Sequence, residues 1–390
     1  MNKLPDRWQI KTLGEVAKII TGKTPLKSHK EYFGGKIPFV KPSDLDKSQF
    51  INNSEDTLTE LGFKFAPFIP KNSVLVSCIG NLGKKAILSV DGSCNQQLNA
   101  IIPNKNINHK FIYYQIDIIK NWMEENSSAT TIKILNKSRF EKAPIILPPL
   151  EIQKQIAKKL DYLFDKIDKA LTFLNENKEY IKKYRLSILK YAFEGKLTLS
   201  SKNWKIKTLG EVCEILDNIR KPINATERKQ RLKKSNLRYA YYGATGQIGY
   251  IDNFLFDFEA ILLGEDGAPF LEPFKNKAYI VSGKYWVNNH AHILMAKDNI
   301  SINKFVCYFL NTVDYMPYVS GTTRLKLNQF SMKQIKIPIS PIETQKEIVS
   351  ILDKSFKSMD EIERLNNENI NNLLLLKKSL LKEAFSGRLI

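Results

Sequence analysis

Between residues 150 and 194, apolar side chains fall at Ile156, Leu160, Leu163, Ile167, Ala170, Leu174, Ile181, Tyr184 and Ile188, in steps of four and three. A 3.5-residue spacing is the seam of a coiled coil, so it predicts one long helix. Ile348, Leu352, Met359, Ile362, Leu373, Leu376 and Leu380 keep the same register and predict a second. Pro148-Pro149 and Pro341 stand just before the two helices, where proline is tolerated, and Gly195 and Gly387 stand where each should stop. At about 1.5 Å per residue, each helix would run about 65 Å. Asn177 and Asn369 fall at matching seam positions. A polar residue there either fixes register and partner number or marks a point where the helix frays or bends.

The segments 1–149 and 198–340 have a different rhythm. Short β-rich runs at Ser73–Ser77, Ala86–Val90, Ala260–Leu263 and Ala278–Val281 alternate with glycine-bearing turns. Helical stretches at Lys110–Trp122 and Asn303–Asn311 are interspersed. The expected order is globule (1–149), helix (150–197), globule (198–340), helix (341–390).

That order is one pattern written twice. Trp8-Gln-Ile-Lys-Thr12-Leu-Gly14-Glu15-Val16 returns as Trp204-Lys-Ile-Lys-Thr208-Leu-Gly210-Glu211-Val212, 196 residues later. Pro149-Leu-Glu-Ile-Gln153-Lys-Gln-Ile156 returns as Pro341-Ile-Glu-Thr-Gln345-Lys-Glu-Ile348 at an offset of 192, as does Thr130-Thr131 through Leu135-Asn136 at Thr322-Thr323 through Leu327-Asn328. Ala192-Phe193-Glu194-Gly195-Lys196-Leu197 returns as Ala384-Phe385-Ser386-Gly387-Arg388-Leu389. Four ordered matches at near-constant offset establish a tandem duplication. Residues 17–129 and 213–321 share little, so one architecture presents two different surfaces.

Charge adds a class of partner. Of the net charge of +20, residues 151–197 carry +4 and residues 342–389 carry none, leaving +16 on the remainder. Basic globules on near-neutral helices suit a polyanion. No apolar run approaches the roughly 18 residues that cross a bilayer. Residues 1–8 lack the apolar core of a signal peptide. Cys78, Cys94, Cys213 and Cys307 are widely spaced, as for reduced, partly buried thiols. A cytoplasmic, membrane-free protein is expected.

The chain resembles the specificity-subunit family of type I restriction–modification enzymes over essentially its whole length. In the first half the likeness rests on Gly22-Lys23-Thr24-Pro25 and on Tyr32-Phe-Gly34-Gly35-Lys-Ile-Pro-Phe39-Val40-Lys41-Pro42-Ser43-Asp44-Leu45. In the second it rests on Tyr241-Tyr242-Gly243-Ala-Thr245-Gly246, Leu263-Gly264-Glu265-Asp266-Gly267-Ala268 and Ser320-Gly321-Thr322-Thr323-Arg324. The resemblance implies a mixed α/β fold: two target-recognition domains separated by two long helices that form an antiparallel coiled coil. It implies that each domain reads half of a split, asymmetric site on double-stranded DNA. It further implies two modification (methyltransferase) subunits and a motor–nuclease restriction subunit as partners, with S-adenosylmethionine, ATP and Mg bound by those subunits only.

No catalytic or metal site is expected in the chain itself. Ala17 to Thr24 loosely fits a phosphate loop, but Pro25 follows where a helix should begin. Gly80-Asn81-Leu-Gly83-Lys84 is better placed as a turn approaching DNA. The pair Pro148-Pro149 lacks the Asn/Asp and aromatic neighbours that would hold a flipped base. His290-x-His292 could place two imidazoles on one strand face, but no third ligand is near in sequence. Glu265-Asp266 is assigned to a turn bordering DNA.

Candidate base readers are Asn95, Gln96 and Gln97, and at the matching place Asn288, Asn289 and His290. Arg220 and Arg324 are each either a bidentate guanine reader or half of an internal ion pair. Arg228, Lys229, Arg231, Lys233, Lys234 and Arg238 form a basic run, either a solvated loop or a phosphate contact. Lys41, Ser43, Asn81, Lys84, Thr130, Thr131, Lys133, Lys221, Tyr241, Tyr242, Thr245, Thr322, Thr323 and Lys326 complete the candidate DNA-binding set. The alternative is a self-sufficient restriction enzyme with an unrecognised catalytic centre.

If the helices act as a ruler, seven residues inserted into the first keep its seam in phase and lengthen it by about 10 Å. The unread gap between half-sites should grow, by up to roughly three base pairs at about 3.4 Å each, while both half-site sequences stay the same. Methylation mapping checks this; an unchanged gap or altered bases would contradict it.

Overall fold

In the computed structural model, which describes residues 5–45, 47–128, 131–198 and 204–390, the two predicted seams are single helices of 44 residues each, Leu150–Phe193 (α1) and Ile342–Phe385 (α2). Gly195 and Gly387 follow them with φ of 71° and 77°, the left-handed conformation that ends a helix. Two compact units divide the chain within both helices: Met1–Thr172 with Asn369–Ile390, and Phe173–Glu368. In the first unit Lys377 Nζ lies 2.5 Å from Asp168 Oδ1, and Lys159 Nζ lies 2.6 Å from the Leu389 carbonyl. In the second, Arg185 Nη2 lies 2.6 Å from Asp360 Oδ1. In the first unit numbers rise along α1 as they fall along α2, so the two helices pack antiparallel there.

Ile156, Leu160, Ile167, Ile348, Leu352 and Met359 are buried as the seam requires. Leu163, Leu174, Ile181, Leu373 and Leu380 are half-buried. Tyr184, Ile362 and Leu376 depart from the expectation and are 60%, 47% and 45% exposed. The buried seam residues concentrate near the globules. Elsewhere one partner helix covers only a narrow stripe, and a 3.6-residue helix drifts off a 3.5-residue seam. The polar seam position also differs. Asn369 is exposed and Asn177 half-buried, whereas Asn366 is buried with no hydrogen-bond partner for Nδ2 among the described residues.

The globules repeat one plan. In the first unit a sheet runs in the order Ala17–Thr21, Leu98–Pro103, Val74–Ser77, Lys85–Leu88, Phe50–Ile51. Ile112, Ile116, Ile119 and Met123 of helix His109–Glu125 join Val74, Val76 and Ile101 in its core. In the second, Cys213–Ile215, Ala291–Ala296, Ala260–Gly264 and Ala278–Val281 form the equivalent sheet. Helix Asn303–Leu310 contributes Phe305, Val306 and Leu310 to that core. The first unit adds a three-stranded sheet and the second another of four strands, and each has a two-stranded ribbon, Gln9–Thr12 with Pro144–Leu147 and Lys205–Thr208 with Lys336–Ile339. The four cysteines are free and buried. Among the described residues no helix is long and apolar enough to cross a membrane.

The repeated motifs are joints of this plan. Thr12 with Glu15, and Thr208 with Glu211, form matching capping boxes. Asn136 and Asn328 cap the short helices Lys137–Phe140 and Gln329–Lys333. Gln153 and Gln345 are buried at the starts of α1 and α2. Gln153 Oε1 accepts from Asn108 N–H at 2.9 Å, and its Nε2 donates to Pro148 O at 2.9 Å. Gln345 Oε1 accepts from Ser301 Oγ at 2.8 Å, and its Nε2 donates to Ile300 O and Ser340 O. Just over two turns later, Asp161 accepts from Tyr114 Oη and Lys110 Nζ, as Asp353 does from Tyr308 Oη and Lys304 Nζ.

One first-unit charge sits uneasily in this packing. Burial pulls the Lys85 ammonium down to about 8, against the opposing pull of Asp117 2.5 Å away. The folded value lies below the unfolded one near 10.4, so folding releases a proton between them and Lys85 costs stability most below pH 8. Lys85→Met should therefore raise the unfolding midpoint at pH 7, and the gap to wild type should narrow as pH rises from 8 to 10. Thermal unfolding across that range checks this; a gap independent of pH would contradict it.

Candidate nucleic-acid interface

In both units a parallel strand pair ends in the same turn. Val40 pairs with Cys94 in the first, and Tyr242 with Val287 in the second. The next residue, Asn95 or Asn288, donates its N–H back to Val40 O or Tyr242 O. Its side chain then accepts the N–H two residues on, from Gln97 at 3.1 Å or His290 at 2.9 Å. Gln97 O accepts from Cys78 N–H, and His290 O from Glu265 N–H. Cys78 O and Glu265 O accept in turn from Leu135 and Leu327 N–H at 2.8 and 2.7 Å. Beside them Gly80 and Gly267, with φ of 77° and 65°, donate to Lys133 O and Leu325 O. Each unit thus carries one rim of three tied segments: the asparagine turn, a glycine loop, and the loop near 131–135 or 322–327.

The exposed side chains on the two rims differ. The first offers Ser43, Asn81, Gln96, Thr131 and Lys133. Gln96 Oε1 accepts from Thr24 Oγ1 at 2.6 Å, and Lys133 pairs with Glu124. Gln97 is half-buried, Lys84 is half-buried and engaged, and Lys41 pairs with Asp56. Thr130 lies outside the described residues. The second rim offers Lys221, Thr245, Asn289, Thr322, Thr323, Arg324 and Lys326. The Arg324 side chain is 62% exposed, with Nη2 2.7 Å from Asp266 Oδ1.

Several candidates turn inward. Asn95 and Asn288 are buried and hold the turns themselves. Tyr241 is a core residue donating to Ile223 O, and Tyr242 is half-buried against Tyr279 and Tyr285, because alternate residues of strand Tyr239–Gly243 face cores on both sides. The histidines do not share a strand face: His290 sits in the turn, its Nδ1 2.6 Å from Asp266 Oδ1 without hydrogen-bond geometry. His292, 1% exposed, places Nδ1 2.6 Å from Asp217 Oδ2 and Nε2 2.8 Å from Leu327 O. Arg220 takes the internal alternative. Its Nη1 lies 2.7 Å from Glu265 Oε2 and 2.9 Å from Ala291 O, and its Nη2 3.4 Å from Asp217.

Asp217, Glu265 and His292 were not brought together by sequence spacing, since they come from three distant segments. Their ligand atoms lie within 4.8 Å of one another, as a metal site would need. Arg220 already occupies both carboxylates, so an ion-pair cluster fits these residues better. Burial opposes the Asp217 carboxylate, yet the His292 hydrogen bond and charge, the Ile293 N–H and Arg220 hold it below its usual range.

The basic run is a helix, Ala225–Lys234, capped by Asn224, with none of its residues buried. Arg228 stacks over Tyr241 and Arg231 pairs with Asp252 beside Trp286, fastening one face to the globule. Lys229, Lys233 and Lys234 are exposed. Arg238 lies beyond the helix and turns back onto the Leu232 and Ser235 carbonyls.

A family model described as type I restriction modification DNA specificity domain matches residues 5–182 and again 201–372. The HindI specificity subunit of Haemophilus influenzae is 35% identical over 42% of this chain, and a putative specificity subunit from the same organism is 36% identical over 38%. The matches span only 37% and 36% of those relatives' lengths. The EcoprrI specificity subunit of Escherichia coli is 23% identical over 95% of this chain and 94% of its own. Among solved structures, a chain from a study of type I R-M complex assembly superposes over the full length of both chains at a TM-score of 0.80 and 19% identity. The HsdS subunit of Thermoanaerobacter tengcongensis covers 99% of this chain and 98% of its own at 0.60 and 18%. Both show the same fold.

Two variants separate the roles of the basic helix and the second rim. Lys229→Gln with Lys233→Gln should weaken duplex binding alike for all sequences and make log K against log salt shallower by roughly 1.8. Arg324→Ala should instead cost about 1–3 kcal/mol at one base position. Titrations at several salt concentrations on matched and mismatched duplexes check both; a sequence-independent loss from Arg324→Ala would remove it as a reader.

Proposed function

The chain belongs to the type I restriction–modification DNA specificity family, and on that premise we propose that it is a non-catalytic specificity subunit reading a bipartite, asymmetric site on double-stranded DNA. The observation that carries this is the doubled rim: one hydrogen-bonded frame presenting Gln96, Thr131 and Lys133 in one unit and Asn289, Thr323 and Arg324 in the other. A frame held constant while its exposed side chains change is suited to two different base sequences. Phosphate contacts from Lys229 and Lys233 would add affinity without sequence information.

The long helices supply the surface for partner subunits. Phe173, Tyr180, Tyr184 and Tyr191 are all exposed on the second-unit part of α1. Their spacings of 7, 4 and 7 place them along one helical face. Solvated aromatic rings in a row are the composition of a protein-docking hot spot. We assign this face to modification subunits, two in number, with a motor–nuclease subunit completing the restricting complex. S-adenosylmethionine, ATP and magnesium belong to those partners, and the working compartment is the cytoplasm. The self-sufficient enzyme finds no support in the Asp217–Glu265–His292 group, whose carboxylates are already engaged by Arg220.

Replacing the first globule, residues 1–149, with that of a relative should change one half of the methylated motif and leave the other intact. Motif mapping of the hybrid complex checks this; a change in both halves would refute independent reading.

A further inference from the structure

The two rims differ beneath their surfaces as well as on them. Strand pairing sets Thr21 opposite Asn99 in the first unit. In the second, the matching register brings Asp217 beside His292, and Cys78 and Glu265 stand at the same point of the frame. Arg220 falls where the first unit has Thr24, three residues past Thr21. The first unit is neutral here: Thr21 Oγ1 donates to Asn99 Oδ1 at 2.7 Å, and Gly22 N–H donates to Leu98 O at 3.0 Å. In the second unit a guanidinium makes the equivalent contact, from Arg220 Nη1 to Ala291 O.

The same frame therefore folds with a neutral set, so the charged set is not required for the fold. Buried ion pairs give little net stability once desolvation is counted, but they hold their partners in fixed geometry. The atoms held here belong to the reading surface. Arg220 fixes the carbonyl just after the Asn288–His290 turn, and His292 fixes Leu327 O at the base of the loop carrying Thr322, Thr323 and Arg324. Glu265 is bound through its backbone to both segments and through its carboxylate to Arg220 and Lys326.

We propose that the buried Asp217–Arg220–Glu265–His292 network positions the turn and loop of the second rim, so that these four residues set which bases the second unit accepts without touching them. The inference rests on the specificity-subunit reading above and assigns positioning residues to one half-site only.

The test transplants the neutral set. The full chain carrying Asp217→Thr, Arg220→Thr, Glu265→Cys and His292→Asn is assembled with its modification subunits, and duplexes are selected from a random-sequence library. The expected result is a cooperatively folded complex whose first half-site motif is unchanged. At the second half-site, preference for matched over mismatched duplex should fall at least tenfold. Glu265→Gln, which keeps the shape and removes one charge, should weaken the same preference less, and it serves if the fourfold variant does not fold. Simple destabilisation would lower binding to both half-sites together. A folded variant with the second motif intact would overturn the proposal. A wild-type complex selecting no two-part motif would overturn the specificity-subunit reading beneath it.

Discussion

A 44-residue helix with few buried positions must be fixed where it leaves its globule, and here a buried amide does it. Gln153 and Gln345 sit one turn inside α1 and α2, and each binds the loop before the helix and the loop before its neighbouring helix. A buried side-chain amide is costly unless its donors and acceptor are matched, so its partners must hold still relative to the helix. The Asp161–Tyr114–Lys110 and Asp353–Tyr308–Lys304 clusters continue that hold along the helix. Every rim residue is presented by a globule whose relation to its helix is set at this joint.

The joints were legible in the sequence because they are the residues written twice. Thr12 and Glu15, Asn136, Gln153 and Gly195 recur as Thr208 and Glu211, Asn328, Gln345 and Gly387, and each pair performs one structural task. The two long helices followed from periodicity, four of the strands from β-rich runs between turns, and the antiparallel packing from the family resemblance. The rims were less legible, because exposure depends on contacts across distant segments. Tyr241 and Arg220 carry side chains apt for DNA, yet one is packed among Ile223, Ile251 and Trp286 beneath Arg228 and the other is drawn inward by Glu265. The basic run around Lys229 lacks an apolar stripe, which concealed a helix fastened through Arg228 and Arg231 instead. Of the two asparagines that share the register between Ile362 and Leu373, Asn366 rather than Asn369 is the buried one.

Differences between the units lie where the joints are not. The rim segments are tied by backbone hydrogen bonds at Cys78 and Glu265, which constrain no side chain at those positions. Substitution there can change what lies beneath the rim without removing the backbone ties between its segments. The exposed aromatic face of α1 lies on a helix rather than a rim, so on the proposed assignment partners would engage it without competing for DNA. Recognition and assembly would then occupy different elements of one chain.

If one repeated frame reads two different half-sites, the adenines methylated by the complete complex will record it. The expected motif is two short, unrelated sequences separated by a fixed run of unspecified bases. A continuous motif, or one whose halves are inverted copies of each other, would contradict it.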